Sequence, residues 1–432
     1  MLRSPLQPLL RKPMQSPVGL AVGNLINRVM TFSGRLSDSI TPQRGSAATF
    51  TRSTTATYVD DSGVIQTAAI NTPRFQGGKF LSEPARTNLL VRSQEFDNAA
   101  WTKARATISA NVSTTTAPNG TNTADKLVED TTVTNTHDIR APNIANVGTN
   151  TYAMTLYAKA AERSWIYFEF MNYAAQGNRA RCWFNIGTGV KGAGNTVGSG
   201  VTYVSHSIEE VGNGWYRCIL IATVDASITG TVYFASLTTG DGVSNYTGDG
   251  TSGAYLWGAQ LEAGNMASSY IPSVAATVTR AADSLSYPVT ASPTQGGFSC
   301  TLIPAEAPAT AGTYPGVGLM ESANNHISFL VNPADGTLYF DGRSAGAPIG
   351  TLVLLTATPA TTYKVAMSWD SARRVAISVN GSAVVSLTVS AMPVSLTNFF
   401  QTNGSHIWNG QISDVKVFTQ ALSDNTLRQL TT

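Results

Sequence analysis

Side chains able to do chemistry are few and scattered. The four histidines, His137, His206, His326 and His406, form no i, i+4 pair and have no cysteine beside them, so no local zinc signature exists. The phosphate-cradling G-x-x-x-x-G-K loop and the H-E-x-x-H helix are both absent. Glycoside hydrolysis needs two carboxylates facing each other from different strands, for which Glu169, Glu209, Glu210 and Glu262 are available. With only 26 Asp and Glu in 432 residues such a pair is not expected, and the protein is read as a non-enzyme. Three cysteines, Cys182, Cys218 and Cys300, are too few and too odd in number for a disulfide framework, and they read as free thiols.

Binding chemistry has a better-defined candidate. Sugars offer apolar C–H faces that stack on aromatic rings and hydroxyls that need planar polar partners. In the run Trp165 to Tyr173, strand alternation sends Ile166, Phe168 and Phe170 to one face and Trp165, Tyr167 and Glu169 to the other. The same rule in Arg181 to Ile186 turns Cys182, Phe184 and Ile186 inward and leaves Arg181, Trp183 and Asn185 outside. Trp165, Tyr167, Arg181 and Trp183 are therefore the expected contact surface for a glycan or a neighbouring subunit. A stacking ring contributes on the order of 1 kcal/mol, so Trp183→Ala should weaken glycan binding about five-fold. The plainer alternative is that a loop or another subunit covers these rings. The loop Thr239 to Thr251 carries Asp241, Asn245 and Asp249, oxygen ligands that Ca²⁺ accepts, although Asp and Gly also make simple turns. Asp335, Asp341, Asp370 and Asp414 add further oxygens nearer the C-terminus. No cofactor is expected, Ca²⁺ is the one ion these loops admit, and no metal ligand is assigned.

The elements that must hold these groups are strands. Charged residues are 12% of the chain, against a usual ~25%. Abundant Thr favours half-buried pleated surfaces. A net charge of +2, from 28 Lys and Arg, excludes the basic footprint of a nucleic-acid binder. The apolar stretch Val18 to Ile26 is too short to cross a membrane and lacks a signal-peptidase site. Pro5, Pro8, Pro13 and Pro17 prevent a regular helix and make residues 1–30 an extended arm. A small β-module follows over 31–92, with Arg52, Arg74, Glu83 and Arg86 expected in internal salt bridges or hydrogen bonds. Strand-like runs with Gly, Asn and Asp punctuation fill 93–272 and 296–432, and 273–295 reads as a linker. The fold class is all-β, with two antiparallel β-sandwich or jelly-roll domains after the arm and module.

Three segments carry resemblances. Thr49-Phe-Thr-Arg-Ser-Thr-Thr-Ala-Thr-Tyr-Val-Asp-Asp-Ser-Gly-Val-Ile65, followed by Pro73-Arg-Phe75 and Glu83-Pro-Ala-Arg-Thr-Asn-Leu-Leu90, resembles a segment recurrent in bacteriophage virion structural proteins. Ser93-Gln-Glu-Phe-Asp-Asn-Ala-Ala-Trp101 and Tyr255-Leu-Trp-Gly-Ala-Gln-Leu-Glu-Ala-Gly264 resemble the ends of carbohydrate-binding-module-like jelly rolls. Val375-Ala-Ile-Ser-Val-Asn-Gly381, Trp408-Asn-Gly-Gln-Ile-Ser-Asp-Val-Lys-Val-Phe418 and a closing helix capped by Ser423 or Asp424 resemble a laminin-G or concanavalin-A-like sandwich.

These resemblances imply a virion protein, made in the host cytoplasm, that acts as a tail fibre or receptor-binding protein, or alternatively as a capsid decoration or head fibre. The arm, through Leu2, Leu6, Leu9, Leu10, Arg11, Pro13 and Val18, would dock it to other virion proteins. The sandwiches would face bacterial surface glycan, and the fibre analogy implies a homotrimer. A secreted lectin or glycan-degrading enzyme is the rival reading.

Overall fold

The computed structural model describes residues 30–145, 149–305, 316–332, 335–399 and 408–432. The docking residues Leu2 to Val18 and His406 lie outside the described residues. Within them the chain is all-β but for one helix, Asp424–Thr431. Ser423 caps it, its hydroxyl oxygen accepting from the Thr426 backbone N–H at 3.2 Å. All three cysteines are free and buried.

The middle sandwich joins two antiparallel sheets. One runs, in spatial order, Val201–Glu210, Trp215–Val224, Asn150–Ala160, Gly253–Ala263, Asp125–Glu129 and Ala106–Ser109. The other runs Val190–Val197, Arg179–Asn185, Trp165–Asn172, Gly230–Thr238, His137–Arg140 and Thr102–Ala104, with Ile144–Ala145 also on Gly230–Thr238. Their inner faces meet in one core that includes Leu156, Phe168, Phe170, Cys182, Phe184, Leu220 and Tyr233. Every second residue of the Trp165 and Arg179 strands feeds this core, as alternation requires.

The C-terminal sandwich is built partly from the N-terminal module. Its eight-stranded sheet places Gly410–Phe418 between Gly296–Pro304 and Lys79–Ser82, and Met30–Gly34 also pairs with Gly410–Phe418. The facing seven-stranded sheet begins Thr49–Thr51, Ser284–Ala291, Leu396–Phe399. The segment 31–92 is therefore not a separate module. Four of its strands complete the distant sandwich, while the hairpin Ala56–Val59/Ile65–Ala68 lays Val59 and Ile65 against Trp215, Trp257 and Tyr270 of the middle one.

Nor is 273–295 a linker. Val278–Arg280 pairs with Arg86–Asn88, and Ser284–Ala291 lies inside a sheet with Leu285 and Tyr287 buried. Its Ser, Thr and Pro content conceals the alternation. Pro288 is tolerated because the pairing with Leu396–Phe399 becomes irregular after it.

A buried ion network ties these parts together. Asp283 accepts from Arg52 at 2.9 Å and from Arg74 at 2.5 Å, and Glu83 meets Arg74 at 2.7 Å and Arg280 at 3.2 Å. Arg52, Arg74 and Glu83 thus form the internal bridges expected of them. Arg86 is half-buried, with Nη1 donating to the Ala85 carbonyl.

Candidate functional site

The outer face of the middle sandwich's second sheet, which contains Trp165–Asn172 and Arg179–Asn185, brings the expected site residues together. The register lines up Trp183, Tyr167, Ser236, Asp138 and Ala104 as one row across five strands. The neighbouring row is Arg181, Glu169, Phe234, Arg140 and Thr102. All four expected residues do lie on the outward side, but two of them are not a free surface. Tyr167 is 0% exposed and Trp183 is 2% exposed.

The reason is the loop after Thr238, which folds back over the rings. Trp183 Nε1 donates to the Val243 carbonyl at 2.8 Å, and the Tyr167 hydroxyl donates to the Ser244 carbonyl at 3.3 Å. Beneath it the two rings lie nearly parallel, 5.6 Å apart, and Phe234 closes the cluster. A bare aromatic patch in water favours such a cover. Trp165 and Arg181 remain half-buried, and the Arg181 guanidinium sits 5.1 Å over the Trp183 ring while donating to Asn195. The stacking surface expected from sequence is thus occupied by the protein's own chain.

The same loop accounts for the oxygens read as cation ligands. Asp249 accepts from the Thr251 and Ser252 backbone N–H groups and the Ser252 hydroxyl, and these bonds hold its carboxyl well below the usual range. Asp241 accepts from the Ala193 N–H at 2.7 Å, and Asn245 lines a pocket described below. Glu129 anchors the loop by accepting from Arg163, the Tyr246 hydroxyl at 2.6 Å and the Asp249 N–H at 2.8 Å. Among the described residues no group of three or more His, Cys, Asp or Glu side chains is placed to hold a metal ion.

Beside the covered rings a polar pocket of about 420 Å³ opens on this face. Glu169 is its lining carboxylate, and two of the lining arginines, Arg105 and Arg140, hold the buried Asp138. Arg179 Nε lies 3.0 Å from Glu169, and Arg140 donates to both Asp138 oxygens, at 2.6 and 3.2 Å. Arg105 reaches Asp138 at 3.0 Å from the bend between Thr102–Ala104 and Ala106–Ser109. The Arg140 guanidinium also lies 5.1 Å over Phe234. Burial pushes Glu169 up to about 7, against the pull of Arg179, Arg181 and Arg140 and with the help of the Asp138 charge. Burial opposes the charge on Arg140, but its hydrogen bond to Asp138 and that carboxylate's charge raise its pKa.

Sequence reasoning put Glu169 on this face and missed Arg179, Arg140, Arg105 and Asp138. A signal for Arg179 existed: it stands two residues before Arg181, on the same face of the same strand. Asp138 and Arg140 come from a strand, and Arg105 from a bend, whose neighbours lie far along the chain.

A larger cleft of about 850 Å³ follows the junction of the hairpin with both sandwiches, past Asp60, Glu209 and Gln411. Asp60 is engaged there in its own turn, accepting from Ser62 N, Val64 N and Gln66 Nε2. Gly342-Arg-Ser-Ala-Gly346, a serine-nucleophile pattern that the sequence reading passes over, turns a hairpin between Thr337–Ser344 and Ala347–Thr356. The nucleophile elbow needs a strand-to-helix turn, and Ser344 Oγ donates instead to the Met392 carbonyl.

Residues 303–428 match the family model of the concanavalin A-like lectin/glucanases superfamily. The C-terminal sandwich is a concanavalin A-like domain. No curated protein matches the chain. Among solved structures, the sialidase CBM40 of Ruminococcus gnavus bound to α2,3-sialyllactose is 17% identical, with 32% of this chain and 83% of that one covered at a TM-score of 0.26. Domain 4 of the Geobacillus stearothermophilus arabinanase AbnA in complex with arabinotriose is 15% identical, with 38% and 81% covered at 0.28. The Caenorhabditis elegans galectin LEC-6 is 12% identical, with 31% and 87% covered at 0.23. No site residue is carried over from any of them.

Proposed function

We propose that the protein is a non-enzymatic glycan-binding component of a bacteriophage particle, anchored by its N-terminal arm and attaching to host surface polysaccharide through its sandwiches. The observation that carries the binding part is the pocket of Arg105, Arg140, Arg179 and Glu169. Convergent polar groups in a concave space are what sugar hydroxyls and acids require. Its carboxylates are each held by arginines, which favours binding over acid–base hydrolysis. The concanavalin A-like domain supports the same reading. The virion part rests on the Thr49 to Leu90 resemblance, and tail fibre, head fibre and capsid decoration are all forms of it.

Mass spectrometry of purified particles should find the chain, and finding it only in culture supernatant with a trimmed N-terminus would replace this reading with the secreted lectin. A chain beginning near Thr31 should fold yet fail to enter particles. Light scattering should give a trimer; a monomer both alone and on the particle would remove the homotrimer. In a host-cell binding assay Arg179→Gln should reduce attachment, and unchanged attachment would move the glycan site elsewhere.

A further inference from the structure

We propose that the pocket of Arg105, Arg140 and Arg179 takes the carboxylate of an acidic sugar, a uronic-acid unit of a surface polysaccharide. This rests on the glycan-binding reading above and names the class of glycan. Three guanidinium groups from three separate elements converge on one space. Asp138 is already shared by Arg105 and Arg140, and Glu169 by Arg179. Among the described residues, that leaves Nη1 of Arg105, Nη1 of Arg140 and Nη2 of Arg179 without a protein hydrogen-bond partner, and Arg179 Nε meets Glu169 as an ion pair without a hydrogen bond. These side chains stay 27%, 27% and 28% exposed, enough to reach a ligand. A planar guanidinium matches a carboxylate in geometry as well as charge.

Charge and shape both select against a neutral sugar. Three arginines face two carboxylates, so the pocket keeps a positive excess. The Tyr167 and Trp183 rings are covered, and Arg140 lies over Phe234, so a neutral sugar finds no open ring to stack on. The side-chain amides of Gln176 and Asn245 at the rim suit the remaining hydroxyls.

Glu169 makes the site pH-dependent. Facing it are Arg179 and Arg181 from the strand on one side, uncharged Phe234 on the other, Asp138 and Arg140 one strand beyond, and Tyr167 on its own strand. The covering loop brings Ser244 and Asn245, which carry no charge. Burial sets the Glu169 pKa at about 7. Protonation below that value removes one negative charge from the lining, while a sugar carboxylate stays ionised. Acidic glycan should therefore bind more tightly as pH falls through about 7.

Titration calorimetry on the full chain, with oligogalacturonate and its neutral methyl ester as probes, tests this. The acid should bind at least about ten-fold more tightly than the ester, the difference expected of a charge-assisted contact. Arg179→Gln should abolish that preference and Arg179→Lys should restore part of it. Affinity should rise between about pH 8.5 and about pH 6, and Glu169→Gln should flatten that rise at the low-pH level. Equal binding of acid and ester, or an unchanged pH profile in Glu169→Gln, overturns the acidic-sugar assignment while leaving glycan binding intact. Equal competition by inorganic phosphate reduces the pocket to a bare anion site and also overturns it. If neither probe nor host polysaccharide binds, the glycan reading itself falls.

Discussion

Trp183 has a full set of partners inside the protein: the Tyr167 ring on one side, Arg181 over it and Val243 at its N–H. Trp183→Ala should consequently cost about 3–5 kcal/mol of stability, the usual loss for a buried Trp, rather than about five-fold in glycan affinity. Urea unfolding beside a glycan-binding assay decides it; unchanged stability with lost binding would restore the stacking role. Glu169 makes the opposite kind of prediction. Its pKa of about 7 in the folded chain exceeds the ordinary 4.5, so the folded state holds the proton more tightly. Its contribution is full below about 4.5 and is lost as pH rises through about 7. Glu169→Gln should match the wild type near pH 4.5 and exceed it by up to about 3 kcal/mol near pH 8. Equal urea midpoints at both values would contradict this.

At the scale of elements, the loop between Thr238 and Gly253 decides whether the aromatic row is surface or core. It is tied down at its far end by Glu129 and Arg163, and Arg163 also stacks 5.3 Å over Tyr246. Arg163→Ala leaves Glu129 buried and short of a partner, which should cost about 3 kcal/mol and be felt first as loop opening. Trp183 would then become more accessible to acrylamide quenching while the sheets keep their hydrogen-exchange protection. Quenching identical to the wild type would mean the cover is held by other contacts.

At the scale of the molecule, the two sandwiches are clasped by the segment 49–90. Asp283 is 1% exposed and serves Arg52, Arg74 and the Glu83 N–H together. Asp283→Ala strands two buried arginines and should cost about 3–5 kcal/mol, seen in calorimetry as a lowered transition. Burial opposes the Glu83 charge, but Arg280, Arg74 and the Ser269 donors outweigh it and hold its pKa below the usual range. Its contribution is therefore present above about pH 4.5 and lost as pH falls. A chain trimmed to 296–432 lacks the strands Met30–Gly34, Thr49–Thr51, Lys79–Ser82 and Ser284–Ala291 and should be insoluble. A soluble, folded fragment would show that these strands are accessories.

Local rules were enough for much of this. Period-2 alternation assigned both faces of the Trp165 and Arg179 strands, cysteine number and setting gave free thiols, and an exposed backbone end gave the Ser423 cap. Those properties depend on neighbours a few residues away. What covers a face, and which strand lies beside which, depends on partners far along the chain. Examples are Met30 with Phe418, Phe50 with Leu285, and Trp183 with Val243. Alternation says which way a side chain points; only the folded chain says whether water, a loop or another arginine is waiting there.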